Sequence, residues 1–114
     1  MTNQDNWKQL NIYLTESDRW RNQPLYMALV EAAHKQRLRG VTVMRAITGF
    51  GERRMIHTTQ IFELSADLPV VVTIIEQEET ITQFLSIVRE MVESRLVTIQ
   101  SIELLNPIAV DNLF

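Results

Sequence analysis

Cysteine is absent from the 114-residue chain, which excludes disulfides and thiolate metal sites outright. Histidine occurs only as His34 and His57, too few for a zinc site, which takes about three or four His, Cys or carboxylate ligands. Only His57 repeated around a symmetric oligomer would bring enough of them together. No apolar run approaches the roughly 20 residues needed to span a bilayer, and residues 1–6 carry no basic-then-apolar signal pattern. A cytoplasmic location without membrane insertion is the expectation. Neither a Gly-x-Ser-x-Gly nucleophile elbow nor a Gly-x-x-x-x-Gly-Lys-Ser/Thr phosphate loop is present, so the usual hydrolase and nucleotide-triphosphatase signatures are missing.

What remains fits one globular domain, residues 1–114, with an ordinary apolar share of 46% and enough length for a core that oligomerisation would help. Charge is unevenly placed. Residues 1–54 hold nine of the eleven Lys/Arg and five acids, a net +4; residues 55–114 hold Arg89 and Arg95 against nine acids, a net −7. Overall acidity speaks against non-specific nucleic-acid binding. The split suits anion binding by the first half or docking of basic against acidic edges between subunits; two solvated helices explain it more simply.

Periodicity divides the chain into four strands and two helices. Residues 8–15 alternate Leu10, Ile12 and Leu14 with Asn11, Tyr13 and Thr15, a half-buried strand. A polar turn, Glu16-Ser17-Asp18-Arg19, follows. Pro24 in a first helical turn, then Leu25, Ala28, Leu29, Ala32, Ala33 and Gln36 at helical spacing, predicts an amphipathic helix to about residue 38 that Gly40 ends. Residues 41–48 read as a second strand, and residues 49–68 as a long connection, of which 61–64 are potentially extended. Pro69 opens a third strand through Ile75. Residues 76–94 form a second amphipathic helix with Ile81, Phe84, Leu85, Val88, Met91 and Val92 on one stripe. Residues 96–105 make a fourth strand, and residues 107–114 a tail or edge strand.

That order, β-α-β-β-α-β, is the α+β ferredoxin-like plan: a four-stranded antiparallel sheet with both helices on one face. The bare face of such a sheet normally meets water and is polar. Here Val71, Thr73 and Ile75 are largely apolar as well as Val70, Val72 and Ile74, and Tyr13 adds to them. Both faces are therefore expected to be covered, the second by copies of the same chain. Each such side chain contributes about 1.5–3 kcal/mol when fully buried.

The chemistry is concentrated after the second strand, where Gly49-Phe50-Gly51 is followed by Glu52-Arg53-Arg54. The glycines allow a close backbone approach, and the two guanidiniums are planar forks suited to phosphate or carboxylate. A turn with solvated arginines is the alternative. Gly-Phe-Gly is a poor echo of the RNA-binding ferredoxin motif, which lies within a central strand with flanking aromatics. Glu16 and Asp18 are close enough in sequence to share a cation or act as an acid/base pair, although solvating the turn and favouring the coming helix accounts for both. His34 belongs on the polar side of the first helix, His57 in the long connection. Trp7 and Trp20 flank the first strand, for which partial burial or a subunit contact suffices.

Several stretches together resemble the PII-like proteins grouped as domain of unknown function 190, within the PII signalling superfamily. They are Ile12-Tyr13-Leu14-Thr15-Glu16-Ser17-Asp18, Pro24-Leu25-Tyr26, Gly40-Val41-Thr42-Val43, Gly49-Phe50-Gly51, Ile56-His57-Thr58 and Leu64-Ser65-Ala66-Asp67-Leu68-Pro69-Val70. The resemblance spans about Leu10 to Leu105. It implies a non-enzymatic homotrimer with ligand clefts between subunits and a flexible T-loop, here residues 49–68, that reports the ligand to a membrane transporter or metabolic enzyme. By position it assigns the ligand to Thr42, Gly49, Phe50 and Gly51; Arg53 and Arg54 are added from their charge and placement.

Two departures bear on the ligand. Typical PII chains carry a Thr-Gly-x-x-Gly-Asp-Gly-Lys phosphate loop, whereas Glu76-Gln77-Glu78-Glu79-Thr80 stands between the third strand and second helix, with three acids and no glycine. That stretch repels a triphosphate. No tyrosine lies between Gly51 and Pro69 to be nucleotidylated. A cyclic or monophosphate nucleotide, bicarbonate, or no effector at all remain open. Beside this stand a small oligomeric ferredoxin-like enzyme using Glu16, Asp18 or His57, and a structural adaptor without ligand.

Overall fold

The computed structural model describes residues 6–49, 57–58 and 67–106. In chain order the elements are β1 (Trp7–Thr15), β2 (Arg19–Trp20), β3 (Gln23–Pro24), α1 (Leu25–Lys35), β4 (Thr42–Arg45), β5 (Thr48–Gly49), β6 (His57–Thr58), β7 (Pro69–Gln77), α2 (Glu78–Ile87), α3 (Arg89–Val92) and β8 (Leu96–Ser101). The four longest strands form one antiparallel sheet in the order β4-β7-β1-β8. This is the ferredoxin-like α+β arrangement expected from the periodicity. The first and third long strands take the centre because their crossover helices return each chain segment to the opposite edge.

One face of the sheet carries the core. Leu10, Ile12 and Leu14 of β1 and Val70, Val72 and Ile74 of β7 pack with Leu25, Leu29 and Ala33 of α1 and with Ile81, Phe84, Val88 and Val92 from the second helical segment. Period two on the strands and period three to four on the helices bring these side chains to a common plane.

Local chemistry moved several boundaries. Helix α1 stops at Lys35, and Gly40 does not end it. The end is a Schellman-type turn in which Leu38 N donates to Ala33 O at 3.1 Å, with Arg37 in the left-handed region at φ 60°. Strand β7 runs through Glu76 and Gln77 directly into α2, leaving no loop there. The second helix is broken at Val88, whose ψ of 14° departs from helical geometry, although its N–H still reaches Phe84 O at 3.0 Å. The polar turn after β1 continues into a small hairpin, with Trp20 opposite Gln23. His57 and Thr58, read as loop, pair through the backbone with Gly49 and Thr48. The stretch 61–64 and the tail 107–114 lie outside the described residues.

The other face of the sheet is bare among the described residues, and its register sorts it into rows. Met44 lies opposite Val71, Val71 opposite Tyr13, and Tyr13 opposite Leu96, so one apolar row crosses all four strands. The next row, Thr42, Thr73, Asn11 and Thr98, is polar and internally bonded by Thr73 Oγ1 donating to Asn11 Oδ1 at 2.8 Å. Met44 and Leu96 are each 63% exposed and Tyr13 39%. No helix among the described residues is long and apolar enough to cross a membrane.

Candidate functional site

The sequence places its chemistry where β4 leaves the sheet, and there the backbone is closely tied. Ala46 N donates to Pro69 O at 2.8 Å and Glu16 N to Leu68 O at 2.9 Å, so the ends of β4 and β1 are both anchored to the start of β7. Around this corner the side chains interlock. Arg45 Nη1 donates to Glu16 Oε1 at 2.8 Å. Ser17 Oγ donates to Asp67 Oδ1 at 2.5 Å and shares a 3.2 Å hydrogen bond with Thr15 Oγ1. Asp18 is 8% exposed; its Oδ2 accepts from Thr15 N at 2.8 Å, and its Oδ1 lies 3.3 Å from Arg95 Nη1.

Glu16 and Asp18 are thus committed to different cations. Asp18 folds back to close its own turn, as aspartates in turns do, and its carbonyl also accepts from Leu25 N at 2.8 Å at the start of α1. Its role in this geometry is to hold the turn. Glu16 retains one atom with nothing to bond: Oε2 is inaccessible and has no hydrogen-bond partner among the described residues, as is Arg95 Nε. No group of three or more His, Asp or Glu side chains with metal-binding geometry occurs among the described residues.

The expected ligand residues divide sharply. Thr42 and Gly49 are described; Phe50, Gly51, Arg53 and Arg54 lie outside the described residues. Thr42 sits on the outer strand β4, exposed, on the same face as the apolar row. Strand β4 has one neighbour, β7, so its other edge is unpaired within the described chain. Gly49 has φ 156°, and a Cβ built there would stand 3.3 Å from Pro69 Cγ. Glycine is favoured at that point by backbone conformation, and a Cβ there would push the Pro69 ring aside by a few tenths of an ångström. His34 is exposed on α1, as its helical position implied.

Sequence reasoning did not identify Arg45, Asp67 or Arg95 as parts of this corner. Arg45 had a signal available, since it stands among the apolar residues of an edge strand. Asp67 and Arg95 had none, because they reach the turn only through the pairing of β7 with β1 and the return of the chain into β8. The acidic stretch 76–80 also changes meaning. Glu76 is 1% exposed and points to the core side of β7. Its Oε2 accepts from Arg39 N at 2.6 Å and its Oε1 from Arg39 Nη1 at 2.7 Å. Glu78 Oε1 lies 3.6 Å from Lys8 Nζ. Two of the three acids therefore have cationic partners, and the repulsion expected from the bare sequence is reduced.

Comparison with known proteins agrees with this architecture. Residues 7–104 match the family model DUF190, described as an uncharacterised conserved group. A UPF0166 protein of Aquifex aeolicus is 37% identical over 98 residues, covering 86% of this chain and 92% of the relative. A UPF0166 protein of Methanocaldococcus jannaschii is 31% identical over 87 residues, covering 76% and 80%. Among solved structures, CPII, a nitrogen regulatory PII-like protein of Thiomonas intermedia K12 bound to ADP, AMP and bicarbonate, superposes with a TM-score of 0.65 at 17% identity over 90% of this chain and 91% of its own. The divalent ion tolerance protein CutA1 of Ehrlichia chaffeensis superposes at 0.60 with 7% identity, covering 96% and 95%. At such identities the two structures speak for the fold alone. The family match and the sequence relatives agree with the sheet order: this chain belongs to the DUF190 (UPF0166) family, and its fold is similar to that of the PII-like protein CPII.

Proposed function

We propose that the protein is a non-enzymatic regulator that assembles as a homotrimer through its bare sheet face and binds a small anionic effector, a nucleotide or similar, at the subunit seams. The effector lies against Thr42, Gly49, Phe50, Gly51, Arg53 and Arg54. The connection across residues 49–68 passes the bound state to a cytoplasmic enzyme or to the cytoplasmic side of a transporter.

The observation that carries this reading is the uncovered apolar row Met44–Val71–Tyr13–Leu96, which ends at the strand bearing Thr42. Exposed apolar groups gathered in a row favour association, and a seam there brings the unpaired edge of β4 beside a second subunit. CPII, of the same fold, was solved with ADP, AMP and bicarbonate, which makes mononucleotides and small anions the first ligands to try. An effector that shifts the connection must bind one of its arrangements more tightly than the other.

Isothermal titration of the full chain with ADP, AMP, a cyclic mononucleotide and bicarbonate tests the proposal. Saturable heat with at least one of them is expected, reduced in Thr42→Val and in the double variant Arg53→Ala, Arg54→Ala. Absence of binding across the panel would overturn the effector reading, and a monomer at micromolar concentration would overturn the seam.

A further inference from the structure

A cleft of about 340 Å³ opens on the helical side of the molecule, between the β2–β3 hairpin and the break separating α2 from α3. Its size falls at the small end of ligand pockets, roughly 300–1,000 Å³. Its lining is mainly polar, from Arg21, Ser86, Arg89 and Glu90, with a smaller apolar part from Trp20, Ile87 and Met91. The α2–α3 segment packs on the core face of the sheet, so this cleft is separate from the strand edge that bears Thr42.

Arg21 is held there against the preference of its own backbone. It is the first of the two residues joining β2 to β3, and its φ is 58°. Among the described residues only Arg37 is another non-glycine residue in that region. Positive φ at the first turn position alone is the type II′ hairpin pattern, for which glycine is the favoured residue. A long cationic side chain in that position costs conformational energy, and such outliers gather where function requires them. The guanidinium is also oriented, with Cζ 5.2 Å from the centroid of the Trp20 ring. Neither Arg21 nor Arg89 has a carboxylate within ion-pair distance among the described residues.

We propose that this cleft binds a small monocarboxylate with an apolar body. The planar guanidiniums of Arg21 and Arg89 suit a carboxylate, which accepts paired hydrogen bonds from such forks. Trp20, Ile87 (52% exposed) and Met91 offer a small apolar patch beside them, enough for contact along one side of the ligand's apolar part. Glu90 on the same rim selects against phosphate, whose second negative charge it would repel, and offers an acceptor to any ammonium group the ligand carries. The site stands independently of the proposed effector seam, and neither result decides the other.

The test is a titration of the isotopically labelled full chain with 3-phenylpropionate, followed by amide and indole resonances. Phenylethanol and inorganic phosphate serve as ligands lacking the charge and the apolar body. Saturable shifts at the Trp20 indole and across residues 86–91 are expected with 3-phenylpropionate, and much weaker ones with either control. Arg21→Gly removes the guanidinium while giving the turn its favoured residue, so it should melt no lower than the parent yet bind about tenfold more weakly or worse. Arg89→Gln should weaken binding similarly. The proposal is overturned if 3-phenylpropionate produces no saturable shift, if the controls match it, or if both variants bind like the parent.

Discussion

Arg39 and Glu76 are joined twice: the buried carboxylate accepts both the backbone N–H and the guanidinium of the same arginine, at 2.6 and 2.7 Å. The guanidinium also lies 5.3 Å from the Trp7 ring centroid. The connection after α1 is thereby fastened to the end of β7, just where the chain turns into β4.

Glu76 is buried while the Arg39 side chain is 40% exposed, so solvent screens part of their attraction. Arg39→Ala should cost about 1–3 kcal/mol of unfolding free energy, because the buried carboxylate loses its cation but keeps the backbone N–H of residue 39. Glu76→Gln keeps an acceptor for the Arg39 amide and should cost less, about 0.5–1.5 kcal/mol. Urea denaturation of both variants reads the difference; equal costs would mean that the carboxylate's charge is not what the pair holds.

The apolar row makes its own prediction about assembly. Met44→Glu or Leu96→Glu places a charge on residues that are 63% exposed in one chain, so folding of the protomer is little affected. If the bare face is the seam, burying that charge is prohibitive. Sedimentation should then give an oligomer for the parent and a 13.3 kDa species for each variant. An oligomer that survives both changes would locate the seam elsewhere.

Gly49→Ala should be destabilising by about 1 kcal/mol or more, since its Cβ would sit 3.3 Å from the Pro69 ring at a φ that alanine adopts with difficulty. Thermal melting measures this directly. Gly40→Ala is the comparison, because the end of α1 does not depend on that glycine; it should change stability less.

Asp18 was a candidate for acid/base chemistry, and its geometry gives it a structural task. Asp18→Ala removes the acceptor for Thr15 N and the partner of Arg95 together, which should cost about 2–4 kcal/mol. Effector affinity, measured below the melting range, should change little. A selective loss of binding with full stability would return Asp18 to the site.

Much of this architecture could be read before folding is considered. Alternation in β1 and β7 and the helical spacing of Leu25, Leu29, Ile81 and Phe84 named the elements, since these patterns depend only on the pitch of strand and helix. The double apolarity of β7 raised the expectation of a second covered face, and among the described residues that face stands bare, with Met44 and Leu96 exposed. Boundaries were less legible. Glu76 read as the start of the second amphipathic helix, yet pairing with Lys8 of β1 and the pull of Arg39 kept it in the strand. Gly40 read as the helix stop because glycine commonly ends helices, while Arg37 took the left-handed turn three residues earlier.

From the order of residues alone came the βαββαβ plan, the core list and the likeness to PII-like proteins, all consequences of local periodicity and short motifs. The tertiary structure alone decided which side chains meet: Glu16 with Arg45, Ser17 with Asp67, Asp18 with Arg95, and Arg21 with Trp20 over the cleft formed with the α2–α3 break. All but the last are contacts between residues at least 29 positions apart. The cleft itself likewise unites a hairpin with helices more than sixty residues further on. Their geometry is set by strand register and crossover packing, which no local pattern of residues encodes.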